Sequence, residues 1–121
     1  MLPNAHQAVI APEKLTDYLL NLEHSRGGPK ARFFLAFGFR VEAPEELGMA
    51  LLAQDRAHPA SMRPRRNGVA YVVEGPIGTP SGRRPWVRTV WTVDEDAASP
   101  RLITAYPLDE RDDDEKFDRG A

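Results

Sequence analysis

The 121-residue chain contains no cysteine, which excludes disulfides, thiolate metal sites and a cysteine nucleophile. Histidine is scarce too: His6, His24 and His58 are scattered, with no carboxylate at ligand spacing, so neither a structural metal nor another cofactor is expected. No apolar run approaches the roughly 18 residues of a membrane span, and no membrane partner is expected. The opening Met1-Leu2-Pro3-Asn4 lacks the basic and apolar regions of a signal peptide. A cytoplasmic setting, or delivery as part of something larger, is the expectation.

What is present suits one core. A hydrophobic fraction of 41% over this length can bury a single compact domain and not two. The formal net charge of −2 hides an asymmetry, because residues 109–121 hold seven acids against three bases and leave the body mildly basic. Residues 1–108 are therefore read as one domain and 109–121 as an acidic tail with one aromatic, no periodicity and little order. Between Arg56 and Arg88 the bias sharpens: Arg56, Arg63, Arg65, Arg66, Arg83, Arg84 and Arg88 face one acid, Glu74. Arginine-rich stretches attract phosphates, and they equally make an ordinary soluble surface. Arg65, Arg66 and Arg84 are candidate substrate contacts on the first reading.

Periodicity changes along the chain. Pro12 and Glu13 open a short amphipathic helix with Leu15, Tyr18, Leu19 and Leu22 on its apolar side, ending near Asn21. Glu23–Gly28 reads as a glycine-containing loop. Pro29 opens a second helix, through Phe34 to Gly38, and Phe33, Phe34, Phe37 and Phe39 read as core. A third helix runs from Pro44 to before Pro59, with Leu47, Ala50, Leu51 and Leu52 on one side. Ala60–Asn67 reads as a loop. After it, Val69–Val73, Trp86–Val93 and Leu102–Tyr106 are β-branched and aromatic runs between turn signals. Gly78–Arg83 is a hairpin turn, too short for a P-loop and without its lysine. The predicted class is α+β: N-terminal helices packed on an antiparallel sheet of three or four strands.

Five residues stand out within this frame. Thr104 and Tyr106, two apart in a strand, would present their hydroxyls on one face, with Ile103 and Ala105 on the other. His24 and Lys30 bracket the start of the second helix, where amide N–H groups favour anions. Lys14, one turn before Tyr18, can reach the same place. Arg88 sits in an apolar strand, where a charge is costly unless paired or aimed at a cleft. Each has a plainer reading: a Thr and a Tyr two apart are common in sheets, and a loop histidine is usually solvated.

Longer patterns add a resemblance. Leu2-Pro3-Asn4-Ala5, Lys14-Leu15, Tyr18-Leu19-Leu20-Asn21, His24, Gly27, Lys30-Ala31 and Phe34 resemble the amino-terminal half of an uncharacterised family of small bacterial proteins, also found at the tips of polymorphic toxins. Tyr71-Val72-Val73, Gly75-Pro76, Val87–Trp91 and Pro100–Tyr106 continue it, so about residues 2–107 are covered. That family is distantly similar to the metal-independent ribonucleases of the barnase/EndoU/colicin/RelE group, several of which use a histidine and a basic residue with a Thr-x-Tyr pair. The resemblance implies an endoribonuclease toxin that cuts RNA, transfer RNA being a candidate, by 2′-OH transesterification to a 2′,3′-cyclic phosphate. It implies His24 as acid–base, because a histidine's unperturbed pKa of about 6.5 suits proton transfer. Lys30 and Arg88 would stabilise charge; Thr104 and Tyr106 would orient the phosphate, Tyr106 doubling as second proton carrier. One histidine in the motif regions departs from a two-histidine mechanism. A cognate antitoxin or immunity protein is the implied partner. The alternative is that this chain is itself a binding module of that kind, with His24 and Thr104 structural.

Overall fold

The computed structural model describes residues 2–66, 68–93 and 99–108; the acidic tail foreseen over 109–121 lies outside the described residues. A 3₁₀ turn, Ala5–Gln7, leads to α1, Pro12–Lys14, which runs directly into a π-helical turn over Leu15–Leu19. Then come α2, Gly28–Ala36, and α3, Pro44–Ala57. All three helices carry proline in the first turn, where its fixed φ is already helical and its missing N–H is not needed.

The chain finishes as a meander: β1, Ala60–Arg65; β2, Gly68–Pro76; β3, Trp86–Val93; β4, Arg101–Pro107. These form one antiparallel sheet in the order β1-β2-β3-β4. The architecture is the expected α+β one. β1 corrects the loop predicted over Ala60–Asn67. It is an edge strand, almost wholly exposed, so no apolar alternation was needed to form it, and Pro64 is tolerated there because an edge strand has a side with no ladder to complete.

The helices cover one face of the sheet. Phe34 from α2 and Leu47 and Leu51 from α3 pack with Val73, Val87, Trp91, Leu102 and Ala105. Full burial of each of these phenylalanine and aliphatic side chains stabilises the fold by about 1.5–3 kcal/mol relative to exposure. Of the four phenylalanines predicted as core, Phe34 and Phe39 are buried, whereas Phe33 and Phe37 are half-exposed and stack on each other. The π turn also changes the first helix. The Leu20 N–H donates to the Leu15 carbonyl, an i to i+5 bond of 2.9 Å, which rotates the following residues. Leu15, Leu19 and Leu20 are buried as a result, and Leu22, predicted inward, is 56% exposed.

Beneath α3 lies a buried polar network. Gln54 Nε2 donates to the carbonyls of Gly75 (3.0 Å) and Val87 (2.7 Å); Thr89 Oγ1 donates to Gln54 Oε1 (2.8 Å) and accepts from Trp91 Nε1 (2.9 Å). Every member is satisfied, which fixes α3 on the sheet in one register. Asp55 beside it is different: it is fully buried, and neither carboxylate oxygen has a hydrogen-bond partner. Burial pushes its carboxyl up to about 7, against a smaller opposing pull from Arg56.

Candidate functional site

Strand alternation in β4 is broken once. Val90 is in register with Thr104 but Trp91 with Leu102, so Ile103 is the extra residue of a β-bulge. Strict alternation would put Leu102 on the same face as Thr104 and Tyr106; the bulge turns Leu102 into the core instead. Ala105 points to the core as expected, whereas Ile103, expected beside it, is left partly exposed. Thr104 and Tyr106 therefore share the face that the helices do not cover, together with Arg88 and Glu74.

On that face Glu74, Arg88 and Tyr106 are register neighbours across β2, β3 and β4. Arg88 forms an ion pair with Glu74 and donates through Nη1 to the Tyr106 hydroxyl at 3.2 Å, with its guanidinium 5.6 Å from the ring centroid. The Tyr106 hydrogen bond pushes the guanidinium up, burial opposes this, and Glu74 adds to the rise; the net direction is up. Arg88 is thus a paired cation inside the sheet. Its charge is already partly neutralised by Glu74, which answers the cost of a charge in this strand.

The helical half arrives at the β4 edge through Tyr18, a residue sequence reasoning had read as core. Its hydroxyl lies 2.9 Å from Thr104 Oγ1. Its ring packs edge-on against His24, with centroids 5.0 Å apart, and carries Lys14 Nζ and Lys30 Nζ at 5.1 and 5.4 Å from the centroid. Burial raises the Tyr18 phenol, but the Thr104 hydrogen bond and the two lysines together outweigh it, and the net direction is down. Among the described residues no carboxylate pairs with Lys14 or Lys30. Tyr18 sits within the π turn, a distortion often found at functional positions. The usable signal was Lys14 four residues before a tyrosine, on a segment whose other apolar positions already filled the core side.

His24 is held tightly. Its Nδ1 accepts the amide N–H groups of Arg26 (3.0 Å) and Gly27 (2.9 Å), and its carbonyl accepts that of Gly28 (2.8 Å). The amides of Arg26, Gly27 and Gly28 are thus already paired within the loop that leads into α2. The cap also places the ring proton of neutral His24 on Nε2. In this state Nε2–H is a donor that can face a bound phosphate oxygen. Lys30 Nζ donates to the Arg26 carbonyl at 3.1 Å, closing the same loop. Gly27 makes the approach possible: a Cβ there would lie 2.1 Å from the Tyr18 carbonyl oxygen and 2.8 Å from its Cδ1.

The structure thus links His24, Lys30 and Lys14 to Thr104 through Tyr18, and Arg88 to Tyr106. The remaining candidates sit elsewhere. Arg65 and Arg66 lie at the β1–β2 end of the sheet, while Arg84 belongs to the connection at the other end, so the meander separates them by the length of the strands. Among the described residues no helix is long and apolar enough to cross a membrane.

Comparison with known proteins places this geometry on a familiar framework. The fold is similar to a chain of the contact-dependent growth inhibition toxin–immunity protein complex from Klebsiella pneumoniae 342, with a TM-score of 0.65 and 16% sequence identity over 84% of this chain and 100% of that one. At that identity the likeness concerns the fold. No curated protein matches the sequence. A family model does match, over residues 1–109, and the chain accordingly belongs to the family described as a domain of unknown function, DUF6883.

Proposed function

We propose that this protein is a metal-independent endoribonuclease toxin that cuts RNA at the seam between Tyr18 and β4. The observation that carries this reading is the Tyr18–Thr104 hydrogen bond, which joins two lysines, neither paired with a carboxylate among the described residues, and a donor histidine to a hydroxyl on the open sheet face. Such a seam offers an anion cations, donors and a proton carrier within a few ångströms of one another.

In the proposed reaction Tyr18, whose phenol the lysines bias toward ionisation, removes the proton from a ribose 2′-OH. The 2′-oxygen attacks the adjacent phosphorus, the bond to the 5′-oxygen breaks, and the Lys30 ammonium protonates the departing oxygen. A 2′,3′-cyclic phosphate and a 5′-hydroxyl result. His24 Nε2–H and Lys14 hold the phosphate oxygens as their charge grows, a type of contribution worth about 10²–10³ in rate. Thr104 fixes the Tyr18 hydroxyl, and Tyr106, held by Arg88, orients the substrate. The need for a 2′-OH makes RNA the substrate, with transfer RNA as a candidate, and the cytoplasm the place of action.

An immunity protein would be the natural partner. The structural relative comes from a complex that contains both a toxin and an immunity protein, and this likeness supports a second reading in which the present chain plays the immunity role. Expression alone in bacteria separates the two. The toxin reading expects growth arrest by the wild type, relieved by Tyr18→Phe, together with cleavage of total transfer RNA in excess chelator. Harmless expression and intact RNA would favour the immunity reading.

A further inference from the structure

We propose that one flank of α2 is a stacking lane for single-stranded RNA, which takes the bases on the 3′ side of the bond cut at the seam. This deepens the ribonuclease reading and rests on it for the identity of the ligand. Lys30, Phe33 and Phe37 recur at helical spacing and so lie along one side of α2, beside its buried stripe of Gly28, Ala31 and Phe34. The rings of Phe33 and Phe37 are half-exposed, with centroids 4.9 Å apart and planes tilted by 50°. At the far end the guanidinium of Arg83, from the β2–β3 connection, lies 5.6 Å from the Phe37 centroid. That connection is tied to the helix. The Ser81 N–H donates to the Phe37 carbonyl at 3.1 Å, the Arg83 N–H donates to Ser81 Oγ at 3.2 Å, and Thr79 Oγ1 donates to the Arg83 carbonyl at 2.7 Å.

Two phenylalanine rings left half in water, with a cation at each end, suit a ligand that alternates flat apolar rings with negative charge. Single-stranded RNA has that alternation: its bases stack on aromatic faces and on guanidinium planes, and its phosphates meet the cations. From His24 to Val41 and from Gly75 to Val93 the chain has no acid, so neither element of the lane brings a carboxylate to repel a phosphate. Direction follows from the reaction. Lys30 also lies against Tyr18 in the seam, and the 5′-oxygen it protonates belongs to the nucleotide on the 3′ side of the cut. From Lys30 to Phe37 the helix rises about 10 Å, so the lane receives the first bases of the leaving strand.

The test is binding of an uncleavable RNA, an oligomer of about a dozen 2′-O-methyl nucleotides, and of the same backbone without bases, to the wild type and to Phe33→Leu/Phe37→Leu. Leucine keeps the apolar packing and removes the flat face; melting temperatures confirm that the variant is folded. The wild type should prefer the oligomer with bases. The double variant should bind that oligomer roughly tenfold more weakly or worse, as expected for lost base–aromatic stacking, and should lose most of the preference. Its slope of log affinity against log salt should stay, whereas Arg83→Gln should lower that slope by about 0.7, the value for one phosphate contact on a single strand. Unchanged affinity and preference in a folded double variant would overturn the lane. So would loss of affinity for a partner protein with RNA binding intact. In cleavage of an RNA cut at one bond, removing the base just 3′ of the cut should slow the wild type more than removing the base just 5′ of it, and the reverse order would overturn the assigned direction. The oligomer cannot be cleaved, so a wild type that binds it through these rings yet cuts no RNA would refute the ribonuclease reading and leave the lane standing.

Discussion

On the covered face of the sheet, Gln54, Thr89 and Trp91 form a polar network that is fully buried, saturated and without a titratable member. On the other side and along the β4 edge, Tyr18, His24, Lys14, Lys30, Thr104, Tyr106, Arg88 and Glu74 form contacts that are half-buried and mostly titratable. Both sets join helices to strands or strand to strand. The first holds the fold because every group is spent, whereas the second keeps donors, cations and a phenol with capacity left for a ligand. Partial burial strengthens such interactions without closing them to solvent.

Mutations should split these two networks cleanly. Tyr18→Phe removes one hydroxyl from the seam, and RNA cleavage should drop about 10²–10⁴-fold, as expected for loss of a proton-transfer group. Its melting temperature should change little, because the ring and its packing remain. His24→Ala should cost about 10²–10³-fold in rate, and it loosens the loop before α2 as well. On the covered face the pattern should invert. Gln54→Ala leaves two carbonyls and a hydroxyl unpartnered and opens a cavity, for about 2–4 kcal/mol of stability. That corresponds to a fall of roughly 10 °C or more for a domain of this size, with the cleavage rate per folded molecule kept. A Tyr18→Phe protein that melts far lower, or a Gln54→Ala protein that folds normally and loses activity, would break the division.

Part of this division was legible in the sequence and part was not. Proline at the head of each helix and β-branched runs in β2, β3 and β4 carried the architecture, because local chemistry sets those elements. β1 was invisible, since an exposed edge strand needs no hydrophobic pattern and Arg63, Pro64 and Arg65 read as loop. Thr104 and Tyr106 followed from alternation, yet the bulge at Ile103 depends on cross-strand register that no single segment encodes. Tyr18 was missed because a tyrosine in an amphipathic stripe satisfies the core reading. Only the π turn and the arrival of β4 reveal that its hydroxyl leaves the core. The capped state of His24 depends on loop geometry and was beyond residue type or spacing.

Asp55 offers a subtler contrast with its neighbour Gln54. Its carboxyl is raised in the folded chain to about 7 from an ordinary value of 3.8. Below about pH 4 it is protonated folded or unfolded, so its burial exacts no ionisation cost. As pH rises from about 4 to 7 the unfolded chain releases this proton and the folded chain retains it, so stability falls across that window and levels off above it. Asp55→Asn should flatten this part of a melting-temperature profile and make the protein more stable than the wild type at pH 8. An identical slope in both proteins would show that Asp55 does not govern it.

The smallest effect belongs to the Glu74–Arg88 pair. Both side chains are about one-third exposed, so Glu74→Gln should change stability by less than about 1 kcal/mol. A larger loss would move this pair from the open network to the structural one.

The central claim is that the seam between Tyr18 and β4 carries out attack by a ribose 2′-oxygen. Its most direct test is the cleavage, in excess chelator, of a short RNA cut at one bond, compared with the same RNA carrying a single 2′-deoxy residue at that bond. The account predicts a 2′,3′-cyclic phosphate from the first, no scission at the substituted bond in the second, and loss of both product and rate in Tyr18→Phe. Equal cleavage of the two substrates, or undiminished cleavage by Tyr18→Phe, would contradict it.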